Sequence, residues 1–134
     1  MRTEAYVDTS ALIAFADASD RHHRRFKDLF ADPPALLTSE LVVAEGHGWF
    51  LRRFDRSHAM RFLSMVDAMP FTVAAVGHDE RTAAITVLSR FGDQKLTLAD
   101  ALGLHLMETH RVGECWSTDF HLGLTGVPLV GEAR

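Results

Sequence analysis

Five short apolar runs, none alternating with polar residues, limit the fold of this chain more than any other feature: Ala5–Asp8, Ala35–Thr38, Phe71–Val76, Glu114–Ser117 and Pro128–Val130. A strand with one face in water alternates apolar and polar residues, whereas a strand covered on both faces reads as a continuous apolar run. The stretches between the runs carry the helical period instead. In 20–31, Phe26, Leu29 and Phe30 follow i, i+3, i+4; in 55–68, Ala59, Phe62, Leu63 and Val66 follow i, i+3, i+4, i+7. Segments 38–53 and 78–91 read as further helices, as does 98–109, with Leu98, Ala101, Leu102, His105, Leu106 and Thr109 on one stripe. Helices alternating with doubly covered strands predict an α/β chain, a three-layer α/β/α sandwich around a parallel sheet.

Length and composition agree with one domain spanning 1–134: hydrophobic residues make up 47% and charged residues 24%, enough apolar surface for a core and too much for a disordered chain. The N-terminal "MRTEAYVD" lacks the apolar stretch of a secretory signal, and no window approaches the roughly 20 apolar residues of a membrane span, so no membrane partner and a cytoplasmic location are expected. Cys115 is the only cysteine, which excludes an intrachain disulfide and a cysteine-based zinc cluster; inside "ECWS" it reads as a packed thiol. A formal charge of −4 gives no overall attraction to a polyanion. Local attraction has two sources, Arg21, Arg24, Arg25 and Lys27 in "RHHRRFK", and Arg52, Arg53 and Arg56 in "RRFDRSHAMR".

Four acids stand in positions that need explaining. Asp8 closes the first apolar run and is the only charge in "AYVDTSALIAF"; an ionised carboxylate there loses hydration and must be paired, hydrogen-bonded, metal-bound or protonated. Glu45 falls with Leu41, Gly48, Trp49 and Arg52 on an apolar stripe of the 38–53 helix, which also admits an ion pair with Arg52 or a bond from the Trp49 indole. Asp100 stands three residues after Thr97 in "LTLADAL", the spacing of a capping box. Asp119 follows an apolar strand in "CWSTDFHLG" and also suits an N-cap or Asx-turn. Each acid has a local explanation, yet the end of the sheet where ligands bind in α/β folds can receive all four. Carboxylates about 4 Å apart repel by roughly 4 kcal/mol at an effective dielectric near 20. Gathered there, they require protons or a cation, and hard oxygen donors without thiolates favour Mg²⁺ or Mn²⁺ over zinc.

In this order and spacing, "VDTSALIAF", "TSELVVAE", "LTLADAL" and "STDFHL" resemble the PIN-domain family, specifically its VapC-type toxin ribonucleases, over Tyr6 to Val130. The resemblance implies a Rossmann-like sheet and an endoribonuclease that hydrolyses RNA with Mg²⁺ or Mn²⁺, acting as the toxin of a toxin–antitoxin pair. It implies Asp8, Glu45, Asp100 and Asp119 as catalytic, metal-binding acids, with Thr9, Ser10 and Ser117 as supporting hydroxyls. Arg52, Arg53 and Arg56 are candidate RNA contacts. A cognate antitoxin and a homodimer are implied as partners, with Phe26, Leu29, Phe30, Trp49, Phe50, Phe54 and Phe62 as lining for those surfaces or, alternatively, plain core. After Asp119 the chain reads "FHLG", where related chains often carry another polar or acidic residue before an aromatic, so no further ligand is assigned there. Asp93 in "FGDQK" reads as a turn residue, and no histidine is assigned an acid–base role. The residues alone also admit a DNA nuclease of related fold, or a non-catalytic nucleic-acid- or protein-binding module whose acids are caps and ion pairs.

Overall fold

The computed structural model describes residues 4–131. Five strands form one parallel sheet: β1 (Ala5–Val7), β2 (Leu36–Ser39), β3 (Phe71–Ala74), β4 (Glu114–Trp116) and β5 (Leu129–Val130), in the order β3-β2-β1-β4-β5. Six helices flank it: α1 (Thr9–Ala16), α2 (His23–Ala31), α3 (Glu40–Arg53), α4 (Arg56–Ala68), α5 (His78–Arg90) and α6 (Leu98–His110). The chain moves outward from β1 through β2 to β3 with α1–α4 in the crossovers, then returns past β1 to β4 through α5 and α6. Right-handed crossovers running in opposite directions put the two helix groups on opposite faces, the sandwich predicted from the doubly apolar strands. The contacts agree with this grouping, since α3 packs on α4, α1 on α2 and α3, and α5 on α6.

The central strands carry the core. Every residue of β1 and β2 is buried, and Phe26, Phe30, Phe50, Phe62, Leu104 and Trp116 close over them from the helices and β4. Phe26, Phe30, Phe50 and Phe62 are therefore buried in the core, while Phe54 stays 42% exposed. Cys115 is fully buried, which pushes its thiol pKa up and suits a packed role. Gly46 has a steric cause: a Cβ there would lie 2.2 Å from Cζ of Phe62, so its absence lets α3 sit directly on α4.

Two local differences from the sequence expectation matter for the site. Residues 9–16, which carried no strand or helix assignment, form α1; the segment "TSALIAFA" is too uniformly apolar for a polar face to mark its period. Asp8 accordingly stands one residue beyond β1 as the N-cap of α1, not as the last strand residue. Among the described residues no helix is long and apolar enough to cross a membrane.

Candidate active site

The strand order reverses between β1 and β4: from β1 the chain proceeds to β2 on one side, and from β4 to β5 on the other. In open α/β sheets the carboxyl ends of such a strand pair flank a natural crevice. A cleft of about 340 Å³ occupies that place, lined by Asp8, Thr9, Ser10, Ile13, Glu45, Trp49, Arg52, Thr97, Asp100 and Asp119. All four acids singled out from the sequence therefore share one cavity. A larger groove of about 430 Å³, lined by Phe15, Phe50, His58, Arg61, Phe62 and Met65 among others, holds none of them.

Asp8 is the most enclosed of the four, at 9% exposure. Its Oδ2 accepts from the Ser10 hydroxyl at 2.9 Å, the Ser117 hydroxyl at 3.0 Å and the Ser10 amide at 3.5 Å. Burial raises its pKa, and the bonds from Ser10 and Ser117 oppose that rise. The serines tie two strand ends together. Ser10 Oγ also accepts from the Thr118 amide at 3.1 Å, and Ser117 Oγ from the Asp119 amide at 2.9 Å, so the loops after β1 and β4 are laced into one unit.

Asp100 opens α6 in the capping box that its spacing predicts. The Thr97 hydroxyl accepts from the Asp100 amide at 3.0 Å, and Asp100 Oδ2 accepts from the Thr97 amide at 3.1 Å. Partial burial raises its pKa, and the charges of Asp119 and Asp8 raise it further. Asp119 is the N-cap of a single 3-10 turn, Phe120–Gly123; its Oδ1 accepts from the His121 amide at 3.0 Å and meets the His121 ring Nδ1 at 2.8 Å.

Glu45 departs from its expected placement. It stands exposed at the mouth of the cleft, because the α3 stripe turns from the core toward the cavity before reaching it. Its partner is neither Arg52 nor Trp49: Thr9 Oγ1 donates to Glu45 Oε1 at 2.8 Å, bridging α1 and α3. Desolvation raises its pKa, with Asp8 and Asp100 adding to the rise.

Among the described basic residues, Arg52 alone lines the cleft; Arg53 lies over the Phe54 ring at 5.7 Å, and Arg56 is exposed at the start of α4. Arg24 and Lys27 border a separate small pocket with His23 and Asp28 on α2. Asp93 is exposed in a turn and does not line the cleft. His121, to which the sequence analysis assigns no role, stands beside two of the acids. One of its ring nitrogens, one oxygen of Asp100 and one of Asp119 lie within 4.8 Å of one another. The available signal was its place two residues after Asp119, the offset at which a cap side chain meets its own turn.

The donor set is four carboxylates, three hydroxyls and one imidazole, with no thiolate, since Cys115 is sealed in the sheet. Such a set fits a hard divalent cation. The caps spend one oxygen of each aspartate: Oδ2 of Asp8 and Asp100, and Oδ1 of Asp119.

Comparison with known proteins gives matches over most of the chain. The PIN domain family model matches residues 5–119. Ribonuclease VapC26 of Mycobacterium tuberculosis (strain ATCC 25618 / H37Rv) is 27% identical over 106 residues, covering 78% of each chain. The crystal structure of Mycobacterium tuberculosis VapC20, described as a sarcin–ricin loop cleaving toxin, superposes with a TM-score of 0.84 at 24% identity, covering 92% of this chain and 95% of that one. A toxin–antitoxin complex from Klebsiella pneumoniae superposes at 0.64 and 22% identity, covering 94% and 95%.

Proposed function

The chain belongs to the PIN-domain family, and from that premise we propose that it is a divalent-cation-dependent endoribonuclease, the toxin of a toxin–antitoxin pair, with Asp8, Glu45, Asp100 and Asp119 as its catalytic acids. The observation that carries this reading is the convergence of the four acids in one cleft at the switch point of the sheet. A relative named as a ribonuclease and a structural neighbour described as a sarcin–ricin loop cleaving toxin support the same chemistry.

Asp8, Asp100 and Asp119 would hold the cation, and Glu45, fixed by the Thr9 hydroxyl, stands at the mouth of the cleft. Mg²⁺ or Mn²⁺ suits these donors and, when bound, supplies charge neutralisation for the scissile phosphate and acidifies the attacking water. Ser10 and Ser117 keep the Asp8 carboxylate fixed while the β1 and β4 loops are drawn together. Arg52 faces an otherwise anionic cavity and offers the phosphate backbone its positive contact. The cleft admits a splayed single strand more readily than a duplex, because an unpaired backbone bends into a concave site.

The protein partner is a cognate antitoxin, a reading that the likeness to a toxin–antitoxin complex supports, and a second copy of this chain is a further partner. Leu51, Phe54 and Met60, between 42% and 46% exposed at the joined ends of α3 and α4, supply apolar surface for such contacts.

The test is cleavage of structured RNAs and matched DNAs by antitoxin-free protein in Mg²⁺, Mn²⁺ or EDTA, with Asp8→Asn in parallel. RNA cleavage that needs the cation should fall in the variant by more than the roughly 10–100-fold that loss of a ligand's supporting bonds costs. Equal cleavage of DNA would move the assignment to a DNA nuclease. Absence of cleavage together with absence of cation binding would return the acids to capping alone.

A further inference from the structure

We propose that Trp49 is a stacking platform for one unpaired base of the RNA, held beside the acids by the face of α3; the proposal rests on the ribonuclease reading of the cleft. Trp49 is the one aromatic residue that lines the cleft, and it shares that wall with Glu45 and Arg52 of the same helix. At 1.5 Å per residue, Trp49 stands about 6 Å along the helix from Glu45 and about 4.5 Å from Arg52. The spacing i, i+4, i+7 keeps all three on one face. An acid, a flat apolar ring and a cation therefore follow one another along the cavity. The Arg52 guanidinium folds back beside Gly48, where a Cβ would stand 3.0 Å from it, so its charge stays next to the ring.

The ring is braced but not covered. Phe50 and Phe54 meet it edge to face, with centroids 4.9 and 6.1 Å away. Among the described residues no ring stacks on it and no cation lies over it. Glu45 accepts from Thr9 instead of from the indole, and the Trp49 N–H donates to no described residue. Trp116 shows the structural use of the same side chain: it is 2% exposed, packs edge to face on Phe30 at 4.8 Å and donates its Nε1 to Glu114 at 3.1 Å. Trp49 is partly exposed and borders open space.

Four carboxylates and a single arginine give this cleft little attraction for an anionic backbone. A neutral π face adds affinity that the acids do not oppose, and every base has a face to stack. Stacking tolerates any base, so Trp49 would position the strand rather than read its sequence.

The test is a fluorescence titration of the full chain carrying Asp8→Asn with oligoadenylate RNA and with a ribose-phosphate chain of equal length and charge that lacks bases. Trp116 is sealed in the core and serves as the constant background. Oligoadenylate should quench an emission that Trp49→Phe lacks, whereas the baseless chain should leave it unquenched and bind about fivefold or more weaker. Trp49→Leu should weaken oligoadenylate binding about fivefold or more, equally at low and high salt, and leave the baseless chain unaffected; Trp49→Phe should stay within about threefold of the parent. Equal affinity for the two chains, or a Trp49→Leu loss common to both, would overturn the proposal. So would failure to bind oligoadenylate by a protein that cleaves structured RNA, and the ribonuclease reading would then stand. Neither binding nor cleavage of any RNA would overturn both. The comparison of the two chains keeps Trp49 in place, so it decides the point even if Trp49→Leu fails to fold.

Discussion

Asp100→Asn tests whether the cleft is held under electrostatic strain that a cation relieves. An oxygen of Asp100 lies within 4.8 Å of one of Asp119. At that separation two negative charges repel by about 3.5 kcal/mol at an effective dielectric near 20 and by about 0.9 kcal/mol in bulk water. Both side chains are partly exposed, so the working repulsion is about 1–3 kcal/mol. Asparagine keeps an oxygen to accept the Thr97 amide, so the capping box survives. What it loses is the attraction of a full charge to the α6 N-terminus, about 0.3–1 kcal/mol. The metal-free variant should therefore be more stable than wild type by about 1 kcal/mol, a rise of about 4 °C in Tm for a chain of this size. Scanning calorimetry in EDTA, then in Mn²⁺ at about a hundred times the wild-type Kd, should show the order close or reverse, since wild type then gains about 2.7 kcal/mol and the variant gains less. A variant that melts below wild type in EDTA, or an equal Mn²⁺ gain in both proteins, would refute the reasoning.

Burial raises the carboxyl pKa of Asp8, Glu45 and Asp100, so the folded state binds more protons than the unfolded chain. Their stabilisation is full below the ordinary carboxylate value near 4 and is lost as pH rises through the raised values. Tm in EDTA should therefore be higher at about pH 5 than at about pH 7, and the opposite trend would count against these shifts. Arg52→Ala, in an Asp8→Asn background that binds without cutting, should lower the salt dependence of single-stranded RNA affinity by about 0.7 in log–log slope; an unchanged slope would remove Arg52 from the phosphate path. Gly46→Ala should destabilise by about 1–2 kcal/mol by pushing on the buried Phe62 ring, even after the gain in helix propensity. Gly48→Ala, which meets only the mobile Arg52 guanidinium at 3.0 Å, should be neutral or stabilising, and equal losses at the two glycines would show that packing is not the cause.

The strands were legible because doubly covered strands leave a plain mark in sequence: predicted and observed limits agree within two residues at every run. The helices with a polar face were legible for the complementary reason. α1 was not, because Ala11, Leu12 and Ala14 face the core while its remaining residues are mostly small or apolar, leaving no period to detect. Asp8, Asp100 and Asp119 could be placed at one end of the sheet from strand ends and cap spacing alone. Glu45 required tertiary information, since periodicity gives the direction of a side chain from its helix axis but not whether a core or a cavity lies beyond. His121 required it too: the pattern shows a histidine two residues after an aspartate, and only the approach of α6 brings Asp100 within 4.8 Å.

The capping and functional explanations of these acids are not rivals. Asp8 caps α1, Asp100 completes the box that opens α6, and Asp119 caps the 3-10 turn, so two α-helix N-termini and a 3-10 turn point their unpaired amides at one place. Those amides carry partial positive charge that offsets part of the mutual repulsion, which lets a metal-free chain gather three carboxylates without unfolding. Each cap also holds its carboxylate in place through a bond to Oδ2 of Asp8, Oδ2 of Asp100 or Oδ1 of Asp119. Glu45 has no such support: it lies in the middle of α3, and the Thr9 hydroxyl does for it what the amides do for the aspartates. Thr9→Val should on this argument loosen Glu45 alone, weakening cation affinity while leaving the caps, and hence the metal-free Tm, close to wild type. A large fall in Tm would instead mean that the Thr9–Glu45 bond is what holds α1 against α3.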